Sequence, residues 1–313
     1  MAKYLVTGGG GFIGSNLVAH LLDQGEEVVV VDNFSTGKRK NLVEFEERIK
    51  LITGDIRDRD TMDEAADGCT AIFHQAALGS VPRSVKDPLT SHDVNVNGTI
   101  NVLEAAKSGG VKRVIFAGSS SVYGNTKESP KHELMPQRPA SPYAGTKVAA
   151  EGYIRAWAQS YGLETITLRY FNVFGPKQSP GGPYAAVIPA FVSSLLDGRP
   201  PIVYGDGKQS RDFCFIENVC LANLLAARAP SESCDGRAMN IACNRSTDLL
   251  EILRILNEEL GTDIEPEFQP PRAGDVKHSL ADISLAVESI GYTPAVYFEE
   301  GLRKAVNWYR NNL

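Results

Sequence analysis

Cysteine and histidine are scarce in this chain of 313 residues, with five of each. The cysteines are Cys69, Cys214, Cys220, Cys234 and Cys243. They are odd in number and form no Cys-x-x-Cys pair, so a disulfide framework is not expected. Reduced thiols of this kind point to the cytosol. The histidines are scattered without metal-ligand spacing, so no metal is expected. No apolar run reaches the length of a membrane span. The opening Met1-Ala2-Lys3-Tyr4-Leu5-Val6 has no signal-peptide plan. A basic excess is missing too: the net charge is −6, which argues against a nucleic-acid partner. It leaves an anionic small molecule open, because a few local arginines suffice for that. Internal repeats and low-complexity segments are absent.

What is present is strand–helix alternation. Tyr4 to Thr7 reads as a buried strand. Phe12 to Gln24 reads as a helix with Ile13, Leu17, Val18, Leu21 and Leu22 on one face. Further strands are expected at Glu27–Val31 (ending at Asp32), Ile49–Thr53, Ala71–Gln75, Val111–Phe116 and Thr165–Tyr170. A helix over Asp93–Ser108 is stopped by Gly109-Gly110, and Ser141-Pro142 caps another through about Tyr161. This order predicts an α/β fold of the Rossmann type, a doubly wound parallel sheet. After Phe174 the pattern loosens into Gly/Pro-rich loops, and a helix is expected over Thr247–Leu260. We therefore expect a cofactor domain over 1–171, joined by part of 212–245. A smaller C-terminal substrate-binding lobe would take 172–211 and 246–313.

The first strand runs into Thr7-Gly8-Gly9-Gly10-Gly11-Phe12-Ile13-Gly14 and then a helix. Gly8, Gly11 and Gly14 stand where a dinucleotide site needs a tight turn, close approach to a pyrophosphate and close helix packing. Asp32 ends the next strand at the expected distance. Its carboxylate can accept from both ribose hydroxyls and repels a 2′-phosphate, so the expected cofactor is NAD. Asp55, after the third strand, can accept from the adenine amino group. Tyr143 and Lys147 are four apart at the start of a helix and share a face. Ser119-Ser120-Ser121 follows the fifth strand, at the sheet edge where α/β active sites lie. Tyr143 can act as a base if its pKa falls from about 10 toward 7, which costs about 4 kcal/mol. One cation about 4 Å away contributes roughly that at an effective dielectric near 20. Lys147 is expected to be that cation, with Ser119 holding the reacting oxygen.

These residues together resemble the extended short-chain dehydrogenase/reductase family. The resemblance rests on Thr7-Gly8-x-x-Gly11-x-x-Gly14, Ala76-Ala77, the serine run and Tyr143-x-x-x-Lys147, and it spans nearly the whole chain. It implies NAD contacts from Gly8, Gly11, Phe12, Ile13, Asp32, Asn33, Ser35, Gly37, Asp55, Ile56, Gln75, Ala76, Ala77, Tyr143, Lys147 and Tyr170. It implies a catalytic set of Ser119, Tyr143 and Lys147. Ser120 and Ser121 stand where dehydratases and decarboxylating relatives carry acids, which turns the reading to simple epimerisation. Arg169-Tyr170-Phe171-Asn172 and Gly205-Asp206-Gly207-x-x-x-Arg211 resemble the segments that hold a UDP-sugar diphosphate. Arg272 and Asp275 are implied as further UDP contacts. The stretches around Ser80 and around Ser279 resemble bacterial UDP-N-acetylglucosamine 4-epimerases, and the small Ser279 implies room for an acetamide. Ser80, Ser120, Ser121 and Tyr143 complete the implied substrate contacts. The expected reaction is inversion of carbon 4 through a 4-keto sugar. A UDP-glucose or UDP-glucuronate 4-epimerase is the enzymatic alternative, and an NAD-sensing binding protein the non-enzymatic one. The resemblance also implies a homodimer joined through the helices Asp93–Ser108 and Pro142–Tyr161.

Overall fold

Six β-rich runs in the first 170 residues are each too short for a helix. In the computed structural model, which describes residues 1–180, 186–271 and 277–312, they form neighbouring strands of one sheet. These are β1 (Lys3–Thr7), β2 (Glu27–Asp32), β3 (Ile49–Thr53), β4 (Ala71–His74), β5 (Arg113–Ser119) and β6 (Glu164–Tyr170). A seventh strand, Asp235–Ile241, comes from late in the chain and pairs with β6. The order is β3-β2-β1-β4-β5-β6 and then Asp235–Ile241, with every pairing parallel. This is the Rossmann-type α/β sheet.

Side chains alternate between two cores, as the two-residue period of a strand requires. Tyr4, Val6, Val28, Val30, Phe73 and Ile115 face one side. There they meet Leu17, Val18 and Leu21 of α1 (Phe12–Asp23). Leu5, Val29, Val31, Ile72, Val114 and Phe116 face the other. They meet Met62, Val102, Leu103, Ala150 and Ile154 on the helices Arg59–Ala66, Gly98–Ser108 and Pro142–Tyr161. Burial on both faces explains why β1, β2, β4 and β5 read as apolar runs, while the edge strand β3 stays partly exposed.

Three expected boundaries shift. The helix expected from Asp93 is entered through Pro88–His92 and one π turn, Asp93–Asn97, before Gly98–Ser108. The fifth strand runs on to Ser119, which therefore ends the strand instead of following it. Asp248 caps the helix Leu249–Leu260 by accepting from Glu251 N, so that helix starts later than expected.

The strand order reverses at β1, whose C-terminal residue Thr7 lies beside His74 of β4. Ligands of open parallel sheets bind in the crevice at such a reversal. Later residues build over this edge. Ser210–Asp212 is the middle of a small sheet, antiparallel to Ser246–Asp248 and parallel to His278–Ser279. Ile202–Tyr204 pairs with Glu267–Gln269. Rings of Phe174, Phe213, Phe215 and Phe298 cluster at centroid distances of 5.4–6.2 Å and tie these elements to the C-terminal helix Phe298–Asn312. All five cysteines are buried and free. No helix among the described residues is long and apolar enough to cross a membrane.

Candidate active site

The turn after β1 is tied tightly to its neighbours. Gly8 has φ +71, its N–H donates to Val31 O at 2.7 Å, and a Cβ there would lie 2.7 Å from Ala76 Cα. Only glycine tolerates both the backbone angle and the contact. Phe12 and Ile13 occupy the first two positions of α1, where N–H groups have no helical acceptor. Their side chains pack against the core. A cavity opens beside this turn, lined by Gly8, Gly11, Asp32, Asn33, Ser35, Gly37, Asp55, Ile56, Gln75, Ala76 and Ala77 among others. Sequence reasoning named these, but not Val31, Thr36, Gly54, Leu78 and Val94, which line it too.

Asp32 is almost fully buried. Its Oδ2 accepts from Gly10 N at 2.8 Å and its Oδ1 from Phe34 N at 2.7 Å. Burial pushes the carboxyl above its ordinary range, against the pull of these two N–H groups. Each oxygen keeps one lone-pair direction for a ligand. A Cβ at Gly37 would lie 2.8 Å from Oδ2, so glycine there leaves the acceptor uncovered. An acceptor pair beside an open cavity, with a glycine turn at the helix start, fits a ribose and pyrophosphate.

Asp55, on the wall of the same cavity, is engaged by its neighbours. Its Oδ1 accepts from Arg57 N and Arg57 Nε, and its Oδ2 from Arg57 Nη2 and Asn33 Nδ2, all at 2.7–3.0 Å. The guanidinium holds the carboxyl down at about 2. Four donors occupy its four acceptor directions. An adenine amino group would have to displace one of them.

The catalytic candidates converge from two elements. Ser119 ends β5. Tyr143 and Lys147 share the first turns of Pro142–Tyr161, which Ser141 caps by accepting from Ala144 N at 3.2 Å. Ser121 donates to Ser119 Oγ from both its N–H, at 3.2 Å, and its hydroxyl, at 2.9 Å. That leaves the Ser119 proton free to point toward the Tyr143 phenol, whose pKa Ser119 draws down.

Lys147 does not lower the Tyr143 pKa as expected. Burial pushes the phenol above its ordinary value, opposed by Ser119, and Lys147 is not among the groups that shift it. The Lys147 ammonium donates instead to Ala117 O at 2.8 Å and lies 4.7 Å from the centre of the Phe116 ring. Burial brings it down to about 8. In the protein alone, removal of water sets both directions, raising the phenol and lowering the ammonium.

Two further cavities meet at Asn172 and Arg211, which line both. One holds Ser119, Ser120, Ser121, Asn125, Lys131, Ala144 and Ser279. The other, of about 410 Å³, is lined by Val187, Phe191, Tyr204, Gln209, Phe213 and others. Asn172 has φ +35 and donates to Asp212 O at 2.9 Å. Arg211 donates to Ser210 O and Lys277 O. Ser279 is buried and sits opposite Arg211 in the small sheet, so it is part of a strand wall. Ser80 does not join them. Its hydroxyl caps the helix Val81–Lys86 by accepting from Arg83 N, and Val81 lines the cavity instead. Arg272 and Asp275 lie outside the described residues.

The turn, the single acceptor pair of Asp32 and the Ser–Tyr–Lys group on one sheet edge have a counterpart among known proteins. Residues 4–242 match the model of the NAD dependent epimerase/dehydratase family. The chain belongs to that family. Its cofactor is NAD. A UDP-glucose 4-epimerase of Mycolicibacterium smegmatis is 40% identical over 313 residues, with 99% of each chain covered. Among solved structures, a UDP-N-acetylglucosamine 4-epimerase of Methanobrevibacter ruminantium in complex with UDP-N-acetylmuramic acid superposes with TM-score 0.94 at 40% identity, covering 100% of this chain and 99% of that one. The Thermus thermophilus UDP-glucose 4-epimerase in complex with NAD superposes with TM-score 0.88 at 36% identity, covering 99% and 100%.

Sequence reasoning missed a buried relay behind this family site. Thr99 Oγ1 donates to Asn95 O at 2.7 Å, so it must accept from His74 Nε2 at 2.9 Å. His74 Nδ1 then accepts from Thr7 Oγ1 at 2.8 Å, which in turn accepts from Ala76 N at 3.3 Å. Burial holds His74 down at about 3, so it is neutral. Asn95 continues the relay: it bonds Leu78 N and Thr146 Oγ1, and Thr146 donates to Tyr143 O. The cofactor turn and the helix carrying Tyr143 are thereby joined. Tyr170 belongs to a second such cluster, bonded to Gln75 and to Asn223 on the late helix Ile216–Arg228. A polar residue inside an apolar run, His74 in Ala71–Ala77 or Asn223 in Val219–Ala227, was the available signal.

Proposed function

We propose that this enzyme inverts carbon 4 of a UDP-hexose, with the UDP-N-acetylglucosamine/UDP-N-acetylgalactosamine pair as substrate. The observation that carries the reading is the line of three sites over one sheet edge. The Asp32 cavity takes NAD, the cavity at Ser119 and Ala144, beside the helix turn that carries Tyr143, takes the hexose, and the aromatic cavity past Asn172 and Arg211 takes the nucleoside. Arginine and an amide at the junction suit a diphosphate. Bound NAD supplies acceptance and return of the C4 hydride, together with a positive ring. Tyr143 takes and returns the proton of the 4-hydroxyl, and Ser119 hydrogen-bonds that oxygen. Ser120 and Ser121 offer no acid to expel a leaving water, which favours epimerisation over dehydration. Lys147, held at Ala117 O, orients the site and adds positive charge to it.

The acetylated pair is supported by Ser279. It is small, buried and on the wall of the hexose cavity. Inversion at C4 requires the ring to present both faces, so the C2 substituent needs room on two sides. Product analysis with UDP-glucose, UDP-galactose and the two acetylated sugars tests the reading, and the glucuronate sugar tests the alternative. Ser279→Tyr is expected to cost tenfold or more on the acetylated pair and to spare the plain pair. Overpacking of about 1–3 kcal/mol corresponds to that range. Equal loss on both pairs would remove Ser279 as the selector.

We also propose a homodimer in the cytosol. Exposed Val85, Leu89, Tyr153 and Tyr161 lie on neighbouring helices, and Tyr153, Trp157 and Tyr161 stack in a row. A monomer by light scattering at micromolar concentration would refute it.

A further inference from the structure

The hexose cavity contains a cation that the proposed reaction does not use. Lys131 is 4% exposed and lines the cavity with Ser119, Ser121, Asn172 and Ser279. Its backbone is pinned on both sides. Its N–H donates to Leu280 O at 2.8 Å, and its carbonyl accepts from Asp282 N at 2.9 Å and Asn240 Nδ2 at 3.0 Å. The point from which the side chain enters the cavity wall is therefore fixed.

The ammonium has no ionic partner among the described residues. Its directional contact is the Tyr123 ring, with Nζ 5.9 Å from the ring centre. The nearby acids are engaged elsewhere: Glu133 accepts from Asn240 N, and Asp282 accepts from the N–H and hydroxyl of Ser284. The charged group that bears on Lys131 is Arg211, and it acts against the charged form, as burial does. An unpaired buried cation is costly and is kept where a ligand supplies the missing partner. Neutral hydroxyls of a plain hexose would be weak partners for it. A carbonyl or carboxylate oxygen would be a strong one.

Resting on the UDP-hexose reading above, we infer that Lys131 reads the exocyclic substituent of the sugar, its ammonium donating to an acetamide oxygen or to a uronate carboxylate. This group recognises chemistry that UDP-glucose lacks, and it acts from the wall shared with Ser279. The C4 chemistry of Tyr143 does not depend on it.

The test measures dissociation constants and kcat/KM of the NAD-loaded enzyme for UDP-N-acetylglucosamine, UDP-glucuronate and UDP-glucose. Lys131→Met keeps the length of the side chain and removes the charge. It should weaken one of the two carbonyl-bearing sugars tenfold or more and change UDP-glucose less than threefold. Its melting temperature should equal or exceed the parent's, because an unpaired buried charge is gone. Lys131→Gln keeps a donor without the charge. It should restore binding if the acetamide is read and fail to restore it if the carboxylate is. Equal weakening of all three sugars, or of none, overturns the inference while leaving the epimerase reading intact. Failure of the parent to bind any of the three overturns both.

Discussion

Replacing Gly14 by alanine sets two effects of known size against each other. Gly14 lies in α1, and alanine in a helix interior is favoured over glycine by about 1 kcal/mol. Helix propensity alone therefore predicts a more stable protein. The structure predicts the opposite. A Cβ at Gly14 would stand 2.2 Å from Gly8 O, 2.8 Å from Gly8 C and 2.8 Å from Gly9 Cα. Bringing the first contact to 3.0 Å needs a shift of 0.8 Å, the difference of the two distances. All three atoms are backbone, so no side chain can rotate away. Overpacking of this kind costs about 1–3 kcal/mol, which equals or exceeds the propensity gain. The net loss is up to about 2 kcal/mol, a fall of a few degrees in Tm for a chain of this size. The effect on NAD should be larger, because the part that moves is the cavity wall. A misplacement near 1 Å can cost on the order of 10²-fold. Thermal melts of NAD-free protein and calorimetric titration with NAD measure the two quantities separately. A Gly14→Ala variant that melts above the parent and binds NAD within threefold would refute the close-approach argument.

Tyr143→Phe should lower turnover by about 10²-fold or more, the scale of a lost general base, and leave UDP-sugar affinity nearly unchanged; turnover within threefold of the parent would exclude Tyr143 as the base. Lys147 is charged below about 8 in the folded protein, against 10.5 for its ordinary value. The folded state thus holds this proton less tightly than the unfolded state. Its cost to stability is full below pH 8 and is relieved as pH rises toward 10.5. That gap corresponds to about 3 kcal/mol at most. Lys147→Met should therefore lose activity yet unfold at equal or higher urea concentration at pH 7, with the advantage shrinking by pH 10. A variant less stable than the parent at pH 7 would contradict this. His74→Phe strips the ring nitrogens from the Thr7 and Thr99 hydroxyls. Each buried group left unpaired costs about 1–3 kcal/mol, so a loss of about 2 kcal/mol or more is expected in urea. The parent's activity should show no titration from this histidine between pH 5 and 8. An unchanged urea midpoint would mean that the relay adds nothing to stability.

Much of this was legible in the residues themselves. Strands buried on both faces are rich in apolar residues, so β1, β2, β4 and β5 announced themselves. The glycine turn was legible because Gly8 and Gly14 answer a local need, a positive φ and a helix packed against its own preceding turn. Asp32, Ser119, Tyr143 and Lys147 were legible because strand ends and helix starts place them without knowledge of the rest of the chain. The tertiary structure decided what depends on partners distant in sequence. Asp55 was a free acceptor on paper and is filled by Arg57 and Asn33 in the fold. Ser80 was a candidate contact and became a helix cap. The pKa direction of Tyr143 follows from burial, which no local pattern contains. The seventh strand, the His74 relay and the setting of Lys131 likewise arise only when residues up to about 150 positions apart pack together. Local sequence sets backbone angles and side-chain periods. Desolvation and hydrogen-bond partnership belong to whichever groups the fold brings within reach.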